Sequence, residues 1–235
     1  MKIGEIIQNI TSIEAKGAPS DDSRLSARHV YSRMLITRAS LLIQKQDKRK
    51  KISEASYQTI NCLELIKAAP YECPCIPPVG CGIFRSKHKL PEPLVGMNTH
   101  LLQAVTSLDG STTYSETTWI EKKYKSGNRY TSNRPDYYLR NGYLYVTADM
   151  MFNKILSVTG LFNRPEEVWD FEDHCNVDCV NCVDCTPMSD REFPLDANNI
   201  ETLIKILKDE MLAFFVQMKE DRTSNSADNI SEQSK

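Results

Sequence analysis

The sequence predicts an α+β protein, with N- and C-terminal amphipathic helices packed with a central antiparallel β-barrel or sandwich. Three observations predict it. Apolar residues recur at helical spacing near both ends of the chain. Between them lie short half-apolar stretches separated by turn residues at close intervals. The spacing of these short strands suits a small barrel or sandwich rather than a parallel sheet.

Residues 1–52 read as a helical part. Ile3, Ile6, Ile7, Ile10 and Ile13 share one helical face. Lys16-Gly17-Ala18-Pro19 ends that helix, and Ser20-Asp21-Asp22-Ser23 supplies N-caps for a longer one reaching Gln46. Ala27, Val30, Tyr31, Met34, Leu41 and Leu42 line its apolar side. Arg24, Arg28, Arg33 and Arg38 spread over the remainder, as candidates to meet either carboxylates of a neighbouring subunit or DNA phosphates. The run Asp47-Lys48-Arg49-Lys50-Lys51 reads as a solvated charged turn.

Residues 53–162 read as β-rich. Tyr57–Ile66 is the first strand, with Ile60, Cys62, Leu63 and Ile66 as core positions. Ala69–Cys81 is a proline-punctuated loop, because Pro77-Pro78 has no place inside a sheet. Ile83–Lys87, Leu101–Ser107, Ser115–Trp119 and Lys154–Thr159 are further strands, with Asp109-Gly110 and Ser126-Gly127-Asn128 as turns. The clearest hairpin is Tyr137–Arg140, Asn141-Gly142, Tyr143–Thr147, an Asn-Gly pair between aromatic strands. Residues 163–194 form an acidic cysteine-rich loop. Residues 195–220 hold the C-terminal helix, introduced by Pro194-Leu195-Asp196, with Ile200, Leu203, Ile204, Leu207, Met211 and Phe215 as its stripe. Residues 221–235 are a polar tail, read as disordered or docking.

The densest chemistry is His174-Cys175-Asn176-Val177-Asp178-Cys179-Val180-Asn181-Cys182-Val183-Asp184-Cys185. Closely spaced thiolates can converge on one ion, because the loops between them close at little entropic cost. Cys175, Cys179, Cys182 and Cys185 are therefore candidate ligands of a structural zinc, with Cys73, Cys75 and Cys81 as additional thiols. The C-x3-C-x2-C spacing also fits three irons of a four-iron cluster, although no βα repeat surrounds it. The plainer reading is a loop of semi-buried thiols at a subunit contact, and on it no cofactor is needed.

Composition sets the remaining limits. The chain has 235 residues, a formal net charge of −2 and eight cysteines. Such a balance implies no global attraction to nucleic acid or membrane. Its distribution is uneven: residues 1–51 are basic, whereas residues 166–201 carry Arg191 as their sole cation among many carboxylates. Opposite charge at two ends suits a subunit that stacks on its own copies or on unlike neighbours. Met1-Lys2 leads into an amphipathic stretch rather than an apolar one, so synthesis in a cytosol and reduced thiols are expected. No stretch approaches the roughly 20 apolar residues of a membrane span. G-x-S-x-G, P-loop, G-x-G-x-x-G and H-E-x-x-H patterns are absent from the sequence, and His29, His88, His100 and His174 are scattered.

A family resemblance rests on the order of elements and on several stretches. These are Leu65-Ile66-Lys67-Ala68, Cys73-Pro74-Cys75-Ile76-Pro77-Pro78-Val79-Gly80-Cys81, Tyr137-Tyr138-Leu139-Arg140-Asn141-Gly142-Tyr143-Leu144-Tyr145-Val146 and Val158-Thr159-Gly160-Leu161-Phe162. Together they resemble a structural protein of crAss-like gut bacteriophages, one of the stacked rings between portal and tail, and most closely the first ring below the portal. The hairpin followed by Phe162 to Pro165 is also loosely similar to the tail-tube adaptor of short-tailed phages. The resemblance implies a non-enzymatic head–tail connector subunit located in the virion. Its implied partners are its own copies, the portal, other tail or ring proteins, and genomic DNA passing without sequence specificity. It further implies about twelve copies, matching a twelve-fold portal. Alternatives from other classes are a metal- or DNA-binding regulator that uses the cysteine cluster, and an iron–sulfur enzyme.

Overall fold

The computed structural model describes residues 1–14, 26–69, 83–97, 99–118, 120–121, 130, 135–147, 154–169, 171 and 186–211. The chain forms two compact units, Met1–Lys48 with Thr186–Lys235, and Arg49–Cys185.

The first unit is helical. Helix α1 spans Ile3–Glu14 and α2 spans Ala27–Asp47. Ile3, Ile6 and Ile10 of α1 are buried, the stripe that their spacing predicts. The N-cap of α2 is Ser26, whose side chain accepts from the His29 N–H, and not a residue of the upstream Ser-Asp-Asp-Ser stretch, which lies outside the described residues. Its buried face is Val30, Met34, Thr37, Arg38 and Leu42, a helical repeat that includes one arginine. Residues 1–3 run antiparallel to 191–193: the Ile3 N–H donates to the Arg191 carbonyl at 3.0 Å and the Phe193 N–H to the Met1 carbonyl at 3.1 Å. Gly4 permits this close approach, since a Cβ there would lie 3.0 Å from the Ser189 carbonyl oxygen. Phe193 and Leu195 are buried and lead into the C-terminal helix, described over 197–211. The Asp196 carbonyl accepts from the Asn199 and Ile200 N–H groups at 3.0 Å each, starting that helix where the sequence places it. Ile200, Leu203 and Leu207 form its buried stripe.

The second unit is a seven-stranded sheet of order β3-β7-β1-β2-β6-β5-β4. The strands are β1 Gln58–Lys67, β2 Ile83–Ser86, β3 Leu102–Ser107, β4 Ser115–Glu116, β5 Asp136–Arg140, β6 Tyr143–Thr147 and β7 Ile155–Gly160. A short helix, α3 (Pro165–Trp169), follows β7. All pairings are antiparallel except β4 with β5, so the sheet is mixed where a wholly antiparallel one is expected. The exception has a geometric cause. Segment 112–117 bonds to β3 through its first half, with Tyr114 N–H to Val105 carbonyl at 2.8 Å. Its second half bonds to β5, with Thr117 N–H to Tyr137 carbonyl at 2.9 Å. One extended segment thus brings the two edges of the sheet together, giving a nearly closed barrel and satisfying edge groups that would otherwise be open to pairing.

The opposite corner lies in β1. Pairing with β7 shifts register between Ile60 and Leu63, and Cys62 takes a φ of 58° there. A bulge adds one residue and reverses which residues point inward. Gln58 and Ile60 are buried before it, Leu63 and Leu65 after it, and Ile66 turns outward. Ile66 is therefore not the core residue that uninterrupted alternation predicts; Leu65 is. Cys62 is buried, as expected, but is disulfide-bonded rather than reduced.

The barrel interior holds Ile60, Leu63, Leu65, Leu90, Val105, Tyr114, Tyr137, Leu144, Val146, Leu156, Val158 and Phe162. Asn141 and Gly142 take φ of 53° and 79°, the paired left-handed residues of a tight hairpin turn. At the tip after β3, Ser107 Oγ donates to Asp109 Oδ1 at 2.5 Å, and Asp109 accepts the Ser111 N–H at 3.2 Å. Hydrogen bonds from Ser107 and then Ser111 hold the Asp109 carboxyl below its ordinary range.

Gly160 sits where β7 passes between β1 and β3, facing Gln58 on one side and Leu102 on the other. A Cβ there would fall 2.5 Å from Leu102 Cδ2 and 3.2 Å from the Leu101 carbonyl oxygen. Gly160→Ala is expected to destabilise the barrel by about 1–3 kcal/mol, because the backbone contact cannot relax by a rotamer change. A urea-unfolding midpoint equal to that of the unmodified protein would contradict this account of the close packing.

Candidate functional site

The candidate residues divide by where they fall. Cys73, Cys75, Cys81, Cys175, Cys179, Cys182, Cys185 and Arg24 lie outside the described residues. Among the described residues, no group of three or more His, Cys, Asp or Glu side chains is arranged to hold a metal ion. No helix among them is long and apolar enough to cross a membrane.

The three described arginines of α2 do not form one cationic face. Arg38 is fully buried, with 0% of its surface exposed. Its Nε donates to the Pro194 carbonyl at 3.0 Å. That places it among its own chain's packing groups and corrects the expectation of a neighbour- or DNA-facing role. The physical reason is the helical repeat, which carries position 38 to the same face as Met34 and Leu42. Arg33 is half-buried and pairs with Glu210 of the same unit at 2.6 Å. Arg28 is exposed. Sequence reasoning registers the cations but not which are already satisfied internally.

A run of four consecutive exposed cations lies at the C-terminal end of α2. Lys48, Arg49, Lys50 and Lys51 are all exposed, and among the described residues none forms an ion pair. Arg49 adopts a φ of 52°, a left-handed conformation that favours glycine. By contrast, several carboxylates of the acidic stretch are already engaged: Glu167 with Arg164 at 3.7 Å, Asp190 with Lys2 at 3.5 Å, and Asp196 with Lys45 at 3.8 Å.

Two further surfaces belong to the barrel unit. On its outer side, Tyr138 and Tyr145 stack with centroids 5.1 Å apart, and the Arg85 guanidinium lies 4.5 Å over the Tyr143 ring. Burial pushes the Tyr138 phenol up to about 12, with Tyr145 adding to the rise and Arg140 opposing it. These rings are a packed cluster with Ala68 and Ile83 rather than a free stacking platform. The second surface is the hairpin around residues 94–101, closed by Leu101 N–H to Leu94 carbonyl at 2.7 Å and Gly96 N–H to Thr99 carbonyl at 2.9 Å. It carries Val95 and Met97, 56% and 82% exposed, an apolar tip beside the His100–Glu116 contact of 3.1 Å. No pattern at these positions marks them as exposed before the fold is known.

The described elements thus offer packed cores, a cationic run and an apolar tip. Comparison with known proteins bears on what they serve. Residues 5–230 match the family model described as phage tail ring protein 2, of crAss type. No curated protein matches the chain.

Proposed function

The chain belongs to the phage tail ring protein 2 family, and from that premise we propose that it is a subunit of a closed ring in the portal-side stack of the virion, surrounding the channel through which the genome passes. The observation that carries this reading is the extent of the match, which covers nearly the whole chain and both units. Ring membership makes the chain a structural component of a phage particle, assembling with other phage structural proteins.

Closure follows from simple geometry. A head-to-tail contact repeated with a fixed rotation returns to its start and leaves a hole on the axis. A portal of twelve-fold symmetry beneath which the ring sits would template about twelve copies. The matched family is numbered two, whereas the residues resemble the first ring below the portal; rank in the stack is read from particle images. On this reading, which the family match supports, the role is architectural rather than catalytic, and DNA is passed without reading its sequence. The cysteine segment belongs, on this reading, to a subunit contact and needs no cofactor.

Electron microscopy of purified particles tests the proposal. The expected result is a symmetric annulus on the portal side of the tail into which both units fit. Location in the capsid shell, or absence from purified particles, would overturn it.

A further inference from the structure

We infer that Lys48, Arg49, Lys50 and Lys51 form this subunit's contact with the phosphate backbone of duplex DNA. The inference rests on the ring reading above and deepens it by naming residues. Two of the three described arginines of α2 compete poorly for that role, since Arg38 is buried against Pro194 and Arg33 is held by Glu210, whereas Arg28 is exposed at the other end of the helix. The run 48–51 is exposed at every position and has no ion pair among the described residues, with Asp47 as the one adjoining carboxylate.

The ordinary structural explanation covers only part of the run. A helix C-terminus favours cations within its last turn, which accounts for Lys45 and Lys48. Arg49, Lys50 and Lys51 lie past that turn. Arg49 also occupies a left-handed conformation in which an L-residue with a side chain is disfavoured by roughly 1–2 kcal/mol. A glycine would end the helix at lower cost, so the retained guanidinium needs a reason outside helix stability.

The partner we infer is a polyanion. Of the described carboxylates of the acidic stretch, Glu167, Asp190 and Asp196 already pair with cations of their own chain, and the self-association arm of the test below separates a second copy from DNA. Duplex DNA presents a dense, regular row of phosphates, and consecutive cations engage it without reading bases.

The test uses the full chain and a fluorescent duplex of about 30 base pairs, with affinity followed from about 50 mM salt upward. In the variant K48Q/R49Q/K50Q/K51Q, affinity at low salt is expected to fall at least about tenfold. The slope of log K against log salt is expected to flatten by about three to four, near one per lost phosphate contact. Thermal unfolding of the variant controls for folding, and R49G, expected to melt higher while binding more weakly, separates charge from stability. Unchanged affinity and slope in the quadruple variant would overturn the inference, as would failure of the unmodified chain to bind. Loss of self-association with DNA binding intact would assign the run to a protein contact and equally overturn it. A ring seen in particles alongside any of these results leaves the ring reading standing, whereas absence from particles removes that reading whatever the DNA result.

Discussion

Replacing Arg38 with alanine is expected to destabilise the helical unit by about 3–5 kcal/mol, a large share of a domain's total stability. The guanidinium lies on the buried face of α2 between Met34 and Leu42, with none of its surface exposed. It donates from Nε to the Pro194 carbonyl at 3.0 Å. That carbonyl belongs to the turn immediately before the C-terminal helix, where the Leu195 N–H already donates to Phe193 rather than extending the helix backward. Truncation removes a donor, leaves a buried carbonyl to be resolvated, and opens a cavity the length of the side chain. Arg38→Met refills most of the volume without restoring the hydrogen bond, so its expected loss is smaller, about 1–3 kcal/mol. Denaturant unfolding of the three proteins gives the order directly. Equal stability of the alanine variant and the unmodified protein would show that Arg38 is not a packing group, and would return it to the surface role its charge suggests.

Arg38 also shows where sequence reading stops. The apolar stripes of α1 and the C-terminal helix are legible because Ile3, Ile6 and Ile10 in the first and Ile200, Leu203 and Leu207 in the second recur at helical spacing. In α2 the same repeat passes through Thr37 and Arg38, and binary patterning files both with the surface. The hairpin at Asn141-Gly142 is legible to the residue, since few other dipeptides accept two left-handed conformations in succession. The β1 corner is not: Ile60, Cys62, Leu63 and Ile66 look equally apolar, and only the bulge decides that Leu65 faces in and Ile66 out. The joining of β3 to β5 by segment 112–117 is likewise invisible in the sequence, being a non-local pairing whose register no single strand contains. For function, the order of elements and the Tyr137–Val146 stretch carry the family resemblance that the match over 5–230 bears out. The cationic run at 48–51 is visible as charge, but that none of its members forms an ion pair among the described residues becomes apparent only from the fold.

The barrel unit should respond to the loss of Phe162 as strongly as the helical unit does to the loss of Arg38. Phe162 is fully buried and packs in the interior cluster with Val105, Leu156 and Val158. Its backbone neighbours tie three segments together: Leu161 donates to Leu101 at 2.9 Å and accepts from Leu94 at 2.8 Å, while Asn163 donates to Glu92 at 2.8 Å. The ring therefore fills the end of the barrel at which β7, the 94–101 hairpin and the start of β3 meet. Phe162→Ala is expected to cost about 3–5 kcal/mol, combining lost apolar burial with a cavity that a hydrogen-bonded frame cannot collapse. Phe162→Leu, which keeps most of the volume, is expected to cost less than half as much. Hydrogen exchange should show the loss as faster amide exchange along β7, β3 and the first half of β1, because these strands share the ladder that Phe162 underpins. The hairpin carrying Val95 and Met97 should loosen with them, which makes particle assembly a second readout if that tip docks in the ring. Unaltered exchange in β7 combined with a normal unfolding midpoint would mean that the barrel end is held without this side chain, and that its core lies elsewhere.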